Sequence, residues 1–180
     1  MTTQLDKSLI LMAIILICFW GCKNEVSLEL IQQSDLSEKF TVGSPKNWHV
    51  EKENSERHST IIASDTSQTI KETILVHLTW NDWEIFLNDH FESSMDSINK
   101  NGGFQTSNQK FYTLNSFDIY EYSAKGIDSL NNLNLRTRNF FLRKDGLDGS
   151  LNLNISAHNR EFDRQDSLLI NRILGSIKGK

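Results

Sequence analysis

Cysteine is scarce in this chain. The 180 residues hold two, Cys18 and Cys22, and none further along. Cleavage before Cys22 leaves one thiol in the mature chain, so no disulfide can form, even in an oxidising compartment. Lipid on that thiol also removes cysteine catalysis. Basic residues are outnumbered: 19 Lys and Arg stand against 23 Asp and Glu, for a net charge of −4. No run of Lys or Arg concentrates positive charge along the sequence, which argues against nucleic acid, where cations must displace counterions. No apolar run reaches the roughly 20 residues that a spanning helix needs.

Catalytic signatures are missing as well. The five histidines, His49, His58, His77, His90 and His158, form no His-x-x-x-His or His-Glu-x-x-His pair, so helical zinc chemistry has no support. Asp89, His90 and Glu92 cluster, but neighbours on a helix point about 100° apart and do not chelate together. The run Lys144-Asp145-Gly146-Leu147-Asp148-Gly149 lacks the spaced oxygen ligands and closing Glu of a calcium loop, and reads as a hairpin turn. There is no Gly-x-Ser-x-Gly elbow and no glycine-rich phosphate loop. The sequence therefore assigns no catalytic, cofactor-binding or metal-ligating residue.

What is present begins with the leader. Lys7 gives a positive start, and Ser8 to Gly21 is a nearly unbroken apolar run of 14 residues. That length suits the hydrophobic stretch of a signal peptide better than a spanning helix. Phe19-Trp20-Gly21-Cys22 matches a lipobox at its last two positions, while Phe19 and Trp20 are bulkier than the pattern favours. Residues 1–21 are expected to be a lipoprotein signal peptide, with Cys22 the lipidation site carrying diacylglyceryl and an acyl chain such as palmitate. Two or more chains give stable membrane attachment. The implied location is a bacterial cell envelope.

Removing the leader leaves 159 residues, enough for one domain with a sizeable core. Residues 22–38 read as a tether with a short helix at 26–33, and 39–180 as a single α+β domain. Phe40–Val42 reads as a strand, 43–47 as a proline turn, 48–51 as a strand and 51–58 as a charged loop. Ser59–Ala63 and Thr73–Trp80 follow as strands, the second with Ile74, Val76, Leu78 and Trp80 alternating. Asn81 or Asp82 could cap a helix over 83–101 whose stripe is Trp83, Phe86, Leu87, Phe91, Met95 and Ile98. Strands at 104–112, 117–124, 133–143 and 151–157 come next, joined by hairpin turns, with a polar loop at 126–132. A closing helix spans about 161–177. Hairpins dominate, so the sheet is mostly antiparallel and packed by helices.

Three pieces of this layout resemble the PsbP-like α/β/α sandwich, a family that includes DcrB-like bacterial lipoproteins. They are Phe40-Thr-Val-Gly-Ser-Pro-Lys-Asn-Trp48, the long helix ending at Asn101, and Leu151–Ala157 running through Phe162 to Ile173-Leu-Gly-Ser176-Ile-Lys178. The hairpin at Asn115-Ser116 departs from it, since glycine is common there. The resemblance implies non-catalytic proteins that bind partners or assist assembly. The expected function is a lipid-anchored envelope binding or accessory module with a protein partner, not an enzyme. The expected contact surfaces are the sheet face and loop 126–132. The alternatives are a small-molecule or lipid binder with a pocket between sheet and helix, and an enzyme of unrecognised type. His77 reads as a half-buried sheet residue. Trp48 and Trp83 read as core and Trp80 as core or rim, and the patch Trp80 to Trp83 with Phe140-Phe141 reads as core packing, an apolar groove being the alternative.

Overall fold

The computed structural model describes residues 29–180. The leader, Cys22 and the first part of the expected tether lie outside the described residues.

Seven strands form one antiparallel sheet. In spatial order they are β3 (His49–Asn54), β4 (His58–Ser64), β5 (Ile74–Asn81), β9 (Ser150–His158), β8 (Leu133–Arg143), β7 (Phe117–Asp128) and β6 (Gln105–Leu114). A second sheet has three strands, β1 (Leu30–Ser34), β2 (Phe40–Pro45) and β10 (Lys178–Gly179), with β2 in the middle. Helices α1 (Asp89–Asn101) and α2 (Arg164–Ser176) complete the fold.

Alternation along the strands sorts the residues onto two faces. Ile74, Val76, Leu78 and Trp80 of β5 pair with Ala157, Ile155, Leu153 and Leu151 of β9. Phe140 and Leu142 of β8 and Ile119 of β7 share that face by register. Leu169, Ile170, Ile173 and Leu174 of α2, with Phe40 and Val42 of β2, close the main core over it. Fully burying each such side chain contributes about 1.5–3 kcal/mol. The other face carries a smaller aromatic cluster. Tyr120, Tyr122 and Phe141 meet Phe91 and Met95 of α1, with the Phe91 ring 5.0 Å from Phe141 and edge-on. Helices thus cover both faces of an antiparallel sheet, and the α+β class expected from the sequence holds.

Several elements differ from the sequence reading. Residues 30–34, assigned to a tether and a short helix, form β1, because they pair with Thr41–Pro45. The strand ending at Val42 continues to Pro45, and the turn shrinks to residues beyond it. Residues 51–54, read as loop, extend β3. Its charged side chains suit an edge strand, where they discourage pairing with another chain. Helix α1 starts at Asp89, not Trp83. Its cap is Asn88, whose side chain accepts from the Phe91 N–H, not Asn81 or Asp82. Residues 82–88 are irregular instead, and Trp83 is 48% exposed and not in the core. Helix α2 starts at Arg164 after a capping box of Asp163 and Asp166. The turn at Asn115-Ser116 puts both residues at positive φ, 51° and 66°, the pattern of a two-residue hairpin turn that glycine usually eases.

Candidate functional site

The β7–β8 hairpin is the longest in the fold, and its tip carries exposed residues beyond the core. Strand β7 runs to Asp128, so only four residues of the expected 126–132 loop remain as a turn. Asp128 organises that turn by accepting from the Leu130 N–H at 3.0 Å and the Asn131 amide at 2.7 Å. The Asn131 bond leads the effects that hold its carboxyl below the usual range. The result is an ordered tip that leaves Ile127 62% and Leu130 93% exposed. Nothing else among the described residues covers them.

On the face that α2 covers lower down, the same hairpin forms the floor of an open cleft of about 800 Å³. Residues 161–162, leading into α2, wall one side, and β6 walls the other. Every charged residue lining it is one of six: Lys110, Glu121, Lys125, Arg136, Arg138 and Glu161. Four are cations and two are carboxylates, so the cleft is positive in a chain that is negative overall.

The deep end is a closed network. Glu121 is 4% exposed. It accepts from Arg138 Nη2 at 2.6 Å, from the Tyr112 hydroxyl at 3.0 Å, and pairs with Lys110 Nζ at 3.1 Å. Burial opposes its charge, but these three donors outweigh burial and hold its carboxyl below the usual range. Burial first, then the Glu121 charge, pushes the Tyr112 hydroxyl upward, so it stays a donor. Arg138 also lies over the Phe140 ring at 5.2 Å. Lys110 reaches Glu121 because β6 bulges between Ser107 and Lys110, with Asn108 at φ 56°. A bulge re-aims the side chains beside it.

The outer end is less satisfied. Arg136 donates through Nε to Glu161 at 2.7 Å, and Glu161 is 74% exposed. Among the described residues, no carboxylate lies within ion-pair distance of Lys125.

A second cavity, about 290 Å³, lies on the opposite face between the sheet and the end of α1. Asn154 donates to Asn139 Oδ1 at 2.6 Å, and Asn139 donates to Thr137 Oγ1 at 2.9 Å. His158 Nε2 is 3.7 Å from Asp128. The lining is amide and hydroxyl with some apolar wall from Leu75, Leu135 and Phe104.

The sequence candidates are scattered. Asp89 and His90 sit exposed in the first turn of α1. His77 faces outward on β5, more exposed than expected. Trp80 is buried and donates from Nε1 to the Asp148 carbonyl at 2.7 Å. Phe140 and Phe141 point to opposite faces, so they build no groove with Trp80 and Trp83. Lys144–Gly149 is a turn, as read. Among the described residues, no group of three His, Cys, Asp or Glu could hold a metal ion, and no helix is long and apolar enough to cross a membrane.

No family model matches the chain, and no curated protein does. Solved structures do. The Ran-binding protein Mog1p of Saccharomyces cerevisiae is similar over 85% of this chain and 96% of its own, with 9% identity and a TM-score of 0.54. A Pseudomonas aeruginosa protein of unknown function, described as a regulator, is similar over 84% of this chain and 98% of its own, with 7% identity and a TM-score of 0.51. At such identities the likeness concerns the fold: this chain has the α+β sandwich architecture of Mog1p.

Proposed function

We propose that this chain is a lipid-anchored bacterial envelope protein of the PsbP-like group that binds a protein partner and catalyses nothing. Cys22 carries the anchor. The β7–β8 hairpin, with its cleft and exposed tip, carries the contact. The observation that supports this most is the union of an open charged cleft with Ile127 and Leu130, two large apolar side chains at an ordered tip. Buried interface centres draw on such apolar groups, and charges around them set orientation. Mog1p is named as Ran-binding, so a protein partner has precedent on this architecture. Apart from Lys125, the charges in the cleft are tied to one another by hydrogen bonds and ion pairs, with no nucleophile and base in contact, which fits recognition better than turnover.

The anchor is tested by the mass of the mature N-terminus in wild type and in Cys22→Ala. A diacylated N-terminal cysteine in membrane fractions supports it, and an unlipidated soluble wild type contradicts it. The partner is tested by photo-crosslinking from the cleft in intact envelopes, where a discrete adduct is expected.

A second reading is favoured by the 290 Å³ cavity beside α1. Its amides, hydroxyls and His158 suit a small polar molecule. The alternative of a lipid chain fits that lining less well, because desolvating those groups without partners is costly.

A further inference from the structure

The β7–β8 register places Lys125 directly opposite Arg136. Like charges at this position repel and weaken the pair. The other opposed charges on these strands obey the favourable rule: Lys110 faces Glu121 and Asp118 faces Arg143. Lys125 and Arg136 break it, at the outer end of the cleft. Among the described residues, Lys125 has no carboxylate partner, and the two terminal nitrogens of Arg136 donate no hydrogen bond. Arg138 continues the row two residues along β8, on the same face. One rung inward, Ser123 of β7 faces Ser107 of β6, and both line the cleft. Two adjacent cations, Lys125 with no carboxylate partner and Arg136 holding only the exposed Glu161 through Nε, flanked by hydroxyl donors, match a carboxylate in charge and in hydrogen bonding.

We propose that the cleft receives a short acidic segment of a protein partner, with a carboxylate seated between Lys125 and Arg136. This rests on the protein-partner reading and names the chemistry of the contact. The cleft's volume has room for several residues. Its walls, residues 161–162 and β6, favour a protruding peptide over a flat bilayer surface, which cannot enter a concavity. Lys125 and Arg136 lie on the paired strands β7 and β8, inside the edge strand β6, so a segment bound to them lies across the sheet face and does not extend the sheet.

The test is fluorescence anisotropy with the full chain in detergent and a labelled hexaglutamate peptide. Labelled hexaglutamine and vesicles of anionic phospholipid are the comparisons. Hexaglutamate is expected to bind, to weaken as salt rises from about 50 to about 300 mM, and to lose at least about tenfold in affinity in Lys125→Glu/Arg136→Glu. Circular dichroism must show that variant folded. Lys125→Met, which keeps an unbranched side chain close to lysine's length and removes its charge, is expected to weaken binding by a smaller factor. Equal binding of hexaglutamine, unchanged affinity in the folded variants, or Lys125-dependent binding to vesicles stronger than to peptide overturns the proposal. Failure here with a cleft adduct still formed in envelopes sinks the acidic segment alone. Peptide binding without any envelope adduct sinks the partner reading instead.

Discussion

Lys125 and Arg136 face each other across the β7–β8 pair, two cations where the neighbouring strands place opposite charges. If the pair is held for contact and not for the fold, relieving it helps stability. Lys125→Glu is expected to raise the unfolding free energy by about 0.2–1 kcal/mol, the usual size of a cross-strand charge effect. Urea unfolding at low salt measures this. A clear loss of stability would show that Lys125 supports the fold in a way the register does not reveal.

Glu121 is the opposite case, a carboxylate the fold depends on. Glu121→Gln leaves Arg138, whose side chain is 17% exposed, without its counter-charge. The expected cost is about 1–3 kcal/mol at neutral pH. The pH dependence has a definite sign. The folded-state carboxyl is held below its ordinary value of 4.5. Its contribution is present above that value and is lost as pH falls through the lower, folded one. Wild type and Glu121→Gln should therefore differ most near neutrality and converge in acid. A gap that stays constant down to the acid transition would remove Glu121's charge from the explanation.

Two glycines in one turn separate strain from contact. Gly149 has φ 103°, and a Cβ there would lie 2.0 Å from the Asn81 carbonyl oxygen, a backbone atom that cannot swing aside. Gly146 has φ 79° and open space around it. Gly146→Ala is expected to cost about 1–2 kcal/mol from conformation alone. Gly149→Ala should cost clearly more, and should disturb the Trp80–Asp148 bond beside it. Thermal unfolding of the two variants decides this, and equal costs would refute the close approach.

Trp80 and Trp83 are three residues apart and differ in exposure, 5% against 48%. Acrylamide quenching should be reduced more by Trp83→Phe than by Trp80→Phe. If Trp80→Phe removes the larger quenchable part, the start of α1 at Asp89 is wrong and the longer helix is restored.

The order of elements was legible because strand alternation and helix stripes are local signals. The bounds of β8, 133–143, were readable to the residue. The errors have physical causes. Trp83, Phe86 and Leu87 continue the spacing of the α1 stripe, so periodicity alone extends the helix past Asn88. Charged β3 looks like a loop because an edge strand needs no apolar face. Strand β1 buries little, so its pairing with β2 leaves a weak pattern. The cleft was not legible, because its cations come from three strands and only the register brings them together. One signal did exist. Arg136 and Arg138 share parity with Phe140 and Leu142, which are core, so the sequence placed two cations on an inward face without a reason.

The contact claim is tested most directly by placing a photo-crosslinking residue at Ser123, inside the cleft, and at Glu53, on the far edge strand, in intact bacterial envelopes. One discrete adduct is expected from Ser123, lost on adding Lys125→Glu/Arg136→Glu and absent from Glu53. No adduct at Ser123, or the same adducts from both positions, would contradict the account.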